Sequence, residues 1–395
     1  MATIEKRGGS FRIRVSCGFD QSGKHIFQTT TWKPDPGMTK FQIEKELNKA
    51  AVEFELKIEN GYFISEENIR FVDFCPMYLD NVKGRLSPLT LISYRTIINT
   101  YLIPMLGRMK LKDIHPQHVQ NFVRDLVNSN KRFDGKEGKI ANATIKRIYT
   151  VLQAILHNAC KMDLIPTNPA NKEKIELPSA IAPDVEIFTQ EEAAEMLECL
   201  SKEPLMYQVL INLAIVTGCR RGELVALEWS DIDFSKATIS ISKSNYSIKG
   251  EGIHTKKPKT AGSRRILAIP PTCVKMLQTY RYEQALERLK LGDQWEGKNW
   301  IFTQWNGLPM YPSTPTLWFS KFLKHNGFRH RKFHSLRHTS ATLLLTNGTN
   351  IKTVSTRLGH KKLSTTNIYL HSVTSADIAA ANTFEILLES NHRRA

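Results

Sequence analysis

The chain has 395 residues, with 55 Lys and Arg against 38 Asp and Glu, a formal net charge of +17, and is 41% hydrophobic and 24% charged. A single core rarely grows past about 250–300 residues, so two or three domains are expected, and the composition excludes a collagen, a wholly disordered chain and a disulfide miniprotein. No apolar run approaches the roughly 18 residues of a membrane span, the N-terminus lacks an apolar signal core, and six scattered cysteines without a CxxC pair read as reduced thiols, so the expectation is a cytoplasmic protein that meets a polyanion rather than a membrane.

In chain order, the first segment reads as β. Residues 3–7, 10–16 and 25–32 are strand candidates, joined by a Gly8-Gly9 turn and a longer turn containing Gly23. In the middle strand Phe11, Ile13 and Val15 alternate with Arg12 and Arg14, which gives one apolar and one basic face. A helix is predicted over 40–59, opened by a Thr39/Gln42 capping box and stopped by Gly61. Its predicted apolar stripe is Phe41, Leu47, Val52, Phe54 and Ile58.

The second segment reads as four helices, at about 71–82, 87–101, 117–129 and 142–162. Ser87-Pro88 opens the second of these, since proline is tolerated in a first helical turn. Pro166, Pro169 and Pro178 mark the exit into a linker. The third segment opens with the capping box Thr189-Gln-Glu-Glu192. Helices are predicted near 190–201, 206–217, 221–228, 273–290, 315–326, 335–346 and 351–358, with strands at 237–242 and 265–269 around a basic stretch. From Glu296 to Asp377 there is no acid, yet that interval holds eleven Lys and Arg. A solvated face usually mixes both signs, so this run favours an anionic ligand.

Five pieces of the third segment carry candidate chemistry. They are Thr217-Gly-Cys-Arg220-Arg-Gly-Glu223, Pro258-Lys259-Thr260, His334-Ser-Leu-Arg337-His338, Leu358-Gly359-His360, and Tyr369 nine residues beyond His360. Singly they have ordinary readings. A Lys near a hairpin is solvated, and a Tyr in a short helix is core. His334 and His338, at i and i+4, could ligate a metal, but the surrounding stretch offers no acid as a third ligand.

Together and in this order they resemble the tyrosine recombinase (integrase) family. Its signature is an Arg in a TGxRxxE-like turn, a hairpin Lys, an HxxR pair, a His or Trp after Leu-Gly, and a Tyr about nine residues later. The resemblance implies catalytic roles for Arg220, Lys259, His334, Arg337, His360 and Tyr369, and a supporting acid at Glu223. It implies a multi-domain chain: an arm-type DNA-binding domain over 1–62 (small sheet plus helix), an all-α core-site DNA-binding domain over 68–177, and a mixed α+β catalytic domain over 185–395. The first resembles the arm-binding domain of lambda-type and conjugative-transposon integrases, and there Arg12 and Arg14 become candidate DNA contacts.

The implied reaction is cleavage and rejoining of double-stranded DNA through a 3′-phosphotyrosine, by a homotetramer on core and arm sites. Two guanidiniums suit the non-bridging oxygens of the transition state, Tyr369 is the nucleophile, and Lys259 protonates the leaving 5′-oxygen. His334 is the expected acceptor or relay for the tyrosine proton. No cofactor or metal is expected, and an excisionase or DNA-bending protein is the expected class of accessory partner. A type IB topoisomerase and a non-catalytic DNA-binding regulator stay open as alternatives; the N-terminal sheet speaks against the former.

Overall fold

The computed structural model describes residues 2–19, 25–59, 69–129, 132–179, 186–256, 264–360, 362–367 and 369. Lys259, Gly23, Gly61 and everything after Tyr369 therefore lie outside the described residues. The chain divides into two compact units, Met1–Ala182 and Pro183–Ala395.

The first unit begins with an antiparallel meander, β1 (Thr3–Arg7), β2 (Ser10–Phe19) and β3 (His25–Trp32), followed by α1 (Lys40–Glu59). The Gly8-Gly9 turn sets Arg7 opposite Ser10 and places Glu5 across from Arg12. The face predicted as basic therefore carries an acid as well. Arg14 lays its guanidinium over the Phe27 ring at 3.5 Å. Gln42 accepts the Thr39 backbone N–H at 2.9 Å, the predicted capping box. The stripe on α1 differs from expectation. Leu47, Ala51 and Phe54 are buried against Ile13 and Val15, whereas Phe41 (77% exposed) and Val52 face outward. A three-stranded sheet covers only a narrow strip of one helix, so Phe41, Val52 and Leu56 stay uncovered, and the side chain of Ile58 lies outside the described residues.

The helical part follows as α2 (Phe71–Val82), α3 (Pro88–Ile97), α4 (Ile103–Leu106), α5 (Pro116–Asn128) and α6 (Asn142–Lys161). Ser87 caps α3. The helix predicted to stop at Tyr101 runs on through a π turn, Ile98–Leu102, into α4. Pro104 has no N–H to give the i−4 carbonyl, and a widened turn tolerates that loss. The core is a separate cluster containing Phe71, Phe74, Leu102, Ile145, Ile148 and Leu152.

The second unit holds α7 (Gln190–Leu200), α8 (Leu205–Thr217), α9 (Arg221–Leu224), β4 (Ile232–Asp233), β5 (Thr238–Ile241), β6 (Ser244–Ile248), β7 (Gly252–Lys256), β8 (Arg265–Ala268), α10 (Pro271–Leu291), α11 (Thr314–His325), α12 (Ser335–Thr346) and α13 (Ile351–Leu358). Thr189 and Glu192 form the expected box at the start of α7. α8 is apolar nearly all round because α10 and α12 flank it. β4, β5 and β8 form one antiparallel sheet, and β6 pairs with β7 in a hairpin. That hairpin occupies much of the stretch expected to be merely basic. Its strands, Ser-Asn-Tyr-Ser-Ile and Gly-Ile-His-Thr-Lys, are too polar to register as buried strands.

Candidate active site

α8 ends at Gly218 in the left-handed conformation (φ +59°), where a Cβ would meet Leu358 Cδ2 at 2.5 Å. The turn delivers Arg220 to the start of α9, half-exposed, with Glu223 one turn on. α12 delivers Arg337, 2% exposed, between that turn and the end of α13. Its Nη1 donates to the Gly218 carbonyl and its Nη2 to the Leu358 carbonyl, both at 2.7 Å. Leu358 closes α13, and Gly359, again left-handed (φ +68°), turns the chain so that His360 follows.

Glu223 organises the cationic side. Its Oε1 accepts Nη1 of Arg220 at 3.0 Å, and its Oε2 accepts the Arg220 backbone N–H at 2.9 Å and Nη2 of Arg265 at 2.7 Å. Arg265 also donates Nε to the Arg357 carbonyl at 2.7 Å and reaches Cys219 Sγ at 3.4 Å. Burial pushes the Glu223 carboxyl up, but Arg265 and Arg220 together outweigh it and hold the carboxyl below the ordinary value. Burial and the neighbouring Arg220 pull Arg337 down to about 10. It remains cationic at neutral pH.

Tyr369 is 2% exposed, and its phenol oxygen lies 2.9 Å from Nδ1 of His338. The His360 ring lies nearly parallel to Tyr369, centroids 6.4 Å apart, and its Nδ1 pairs with Thr366 Oγ1 at 2.8 Å. His334 meets His338 edge to face at 4.7 Å. Burial, then the surrounding arginines, lowers His334. Burial, His334 and Arg337 hold His338 down to about 4, and burial with Arg337 and Arg220 does the same to His360. The three imidazoles are therefore neutral at physiological pH. Burial raises the Tyr369 phenol although Arg337 pulls against it, so the resting group is protonated.

The structure thus gathers Arg220, Glu223, His334, Arg337, His360 and Tyr369 at one place. Lys259 lies outside the described residues, and Arg12 and Arg14 belong to the other unit. Sequence reasoning gave Arg265 no role and weighed His338 only as a metal ligand beside His334. For Arg265 a signal existed: in β8 it shares the strand phase of buried Leu267, while Ile266 is 73% exposed. An arginine on the buried phase implies a partner.

Such a site, two guanidiniums around a buried phenol, suits transfer of a phosphoryl diester to tyrosine. Comparison with known proteins agrees. Residues 186–375 match the Phage integrase family, and residues 70–127 match the phage integrase N-terminal SAM-like domain. A "Tyrosine recombinase XerC-like" protein of Caldanaerobacter subterraneus subsp. tengcongensis is 30% identical over 395 residues, covering 95% of this chain and 96% of its own length. The ICEBs1 integrase of Bacillus subtilis is 24% identical over 381 residues, covering 94% and 95%. Among solved structures, the Tn1549 transposon integrase in complex with a circular intermediate DNA aligns with TM-score 0.65 at 19% identity, over 78% of this chain and 99% of that one. A lambda integrase dimer bound to a core site aligns with TM-score 0.55 at 18% identity, over 93% of each chain. A tyrosine recombinase catalytic domain preceded by a SAM-like domain, the chain belongs to the phage integrase family and is a site-specific DNA integrase of the tyrosine recombinase type.

Proposed function

We propose that Tyr369 is the nucleophile and that Arg220 and Arg337 bind the non-bridging oxygens of the scissile phosphate. The observation that carries this reading is the buried Arg337 beside a buried phenol, with Arg220 held at the same turn. A guanidinium locked by two carbonyls needs little reorganisation as charge develops on the phosphate. His334 and His360 add neutral donors to the same oxygens. Lys259 supplies the proton for the departing 5′-oxygen. This role suits Lys, which titrates, rather than Arg, which does not at working pH.

The same reading gives the chain three modules: 1–62 for arm sites, 68–177 for the core site and 185–395 for catalysis. Separate cores in the sheet-plus-helix and helical segments support the first division. Arg12 and Arg14 present the arm-binding face. The substrate is double-stranded DNA and the working assembly a homotetramer on two duplexes, with an excisionase or DNA-bending protein as the accessory partner. Among the described residues no helix is long and apolar enough to cross a membrane, and the reading places the enzyme on cytoplasmic DNA. A lambda integrase tetramer bound to a Holliday junction aligns with TM-score 0.56 and is consistent with a fold that can assemble this way.

A nicked suicide duplex tests the site. The native enzyme should trap an adduct that survives denaturant, and Tyr369→Phe should bind the same duplex without one. An adduct formed by the Phe variant would remove Tyr369 from the mechanism.

A further inference from the structure

His338 lies on α12 one turn beyond His334, and of the two it is His338 whose Nδ1 stands 2.9 Å from the phenol oxygen of Tyr369. The phenol also lies in the field of the cationic Arg337, which draws the group towards the phenolate. A phenol that gives up its proton needs an acceptor, and Nδ1 of His338 is within hydrogen-bond reach. An imidazole accepts there only as the neutral Nε2–H tautomer. Burial beside His334 and Arg337 keeps the ring neutral, independently of the hydrogen-bond argument.

We propose that His338 is a catalytic residue of this integrase, whose Nδ1 takes the phenol proton as Tyr369 attacks the phosphate. In that step the phenol oxygen bonds to phosphorus and the bond from phosphorus to the 5′-oxygen breaks. The phenol proton passes to Nδ1 of His338, and the 5′-oxygen takes a proton from the general acid. In religation the 5′-hydroxyl attacks and its proton returns to the deprotonated general acid, the phosphotyrosine bond breaks, and His338 returns its proton to the phenol. The proposal rests on Tyr369 being the nucleophile. It also differs from the sequence expectation, which gave this proton to His334.

A buried tyrosine often satisfies its hydroxyl on a nearby side chain for packing alone. The experiment must therefore see proton transfer rather than structure. His338→Gln keeps a hydrogen-bond acceptor but cannot take a proton. It should slow single-turnover cleavage of a nicked core-site duplex by about 10²-fold or more, with unchanged affinity in a gel shift. Replacing Tyr369 by difluorotyrosine makes the phenol more acidic and less dependent on a base. That replacement should recover about tenfold or more in the His338→Gln background and change the enzyme with native His338 much less.

A native cleavage rate in His338→Gln, or an equal response to fluorination in both backgrounds, would overturn the assignment. If the Gln variant fails to bind DNA, His338→Asn is measured in its place against the same two readouts. Tyr369→Phe separates the two readings. An adduct formed by Tyr369→Phe sinks the nucleophile itself, whereas a dead Tyr369→Phe beside a fully active His338→Gln sinks only the role of His338.

Discussion

Arg265 and Glu223 together fix where Arg220 can go. Both are largely buried, and Glu223 divides its oxygens between the two arginines. Removing one partner of a buried pair leaves the other charged and unpaired, which costs about 3–5 kcal/mol. Arg265→Ala should therefore lower the urea midpoint and slow cleavage together. Arg265→Lys keeps the charge but cannot reach Glu223 and the Arg357 carbonyl at once, so its stability should fall between the two. Equal stability of Arg265→Ala and the native enzyme in urea melts would refute this linkage. The site histidines set a pH signature of their own. His338 and His360 are each held down to about 4 from an ordinary 6.5, so the unfolded chain binds more protons between those values. Their contribution is complete above pH 6.5 and is lost as pH falls towards 4. Glu223, also lowered, loses its contribution further down, below its ordinary 4.5. Thermal melts should show stability falling from pH 6.5 towards 4, and His338→Gln with His360→Gln should flatten that slope. A slope unaffected by the double substitution would place the titration elsewhere.

Elements in the second unit are joined to the site by glycines that no other residue replaces freely. At Gly218 the left-handed backbone alone costs an alanine about 1–2 kcal/mol, and its Cβ would strike Leu358 at the end of α13. Gly218→Ala should lower the melting temperature and move Arg220 and Arg337 together, since Arg337 donates to the Gly218 carbonyl. The check is the melt plus the adduct assay; a stable variant with native cleavage would mean the turn tolerates a side chain. Much of this was legible in the sequence. The Thr189 and Thr39 boxes, the Gly8-Gly9 turn and the first and last helices of the helical part fall where their signals put them. The gathering of Arg220, Arg337, His360 and Tyr369 was legible from motif order. Three features were not. The α4 continuation depends on a π turn that propensity does not encode. The β6–β7 hairpin is polar on both strands, so periodicity carried no burial signal. The bond from Tyr369 to His338 rather than His334 depends on the rotation of α12, which is set by Arg337 reaching two carbonyls.

At the scale of the whole molecule, the surplus of +17 must be turned into a defined grip on DNA. Each phosphate neutralised steepens the salt dependence of binding by about 0.9 in the slope of log K against log salt. Arg12 and Arg14 stand on neighbouring same-face positions of β2, but they are not equivalent. Arg12 lies across from Glu5, which offsets part of its charge, whereas Arg14 rests on Phe27 and has Thr3 and Thr29 as its cross-strand neighbours. Arg14→Ala should therefore lower the salt slope on long arm-site DNA by about 1, and Arg12→Ala by less. The sheet and α1 pack about their own small core of Ile13, Val15, Leu47, Ala51 and Phe54, distinct from the core of the helical part. Deleting 1–62 should consequently abolish that slope contribution and weaken binding to long DNA, yet leave adduct formation on short core-site duplexes unchanged. Loss of core cleavage in the truncated chain would mean that the sheet is needed for the catalytic assembly itself, and unchanged salt slopes in all three variants would mean that β2 does not face DNA.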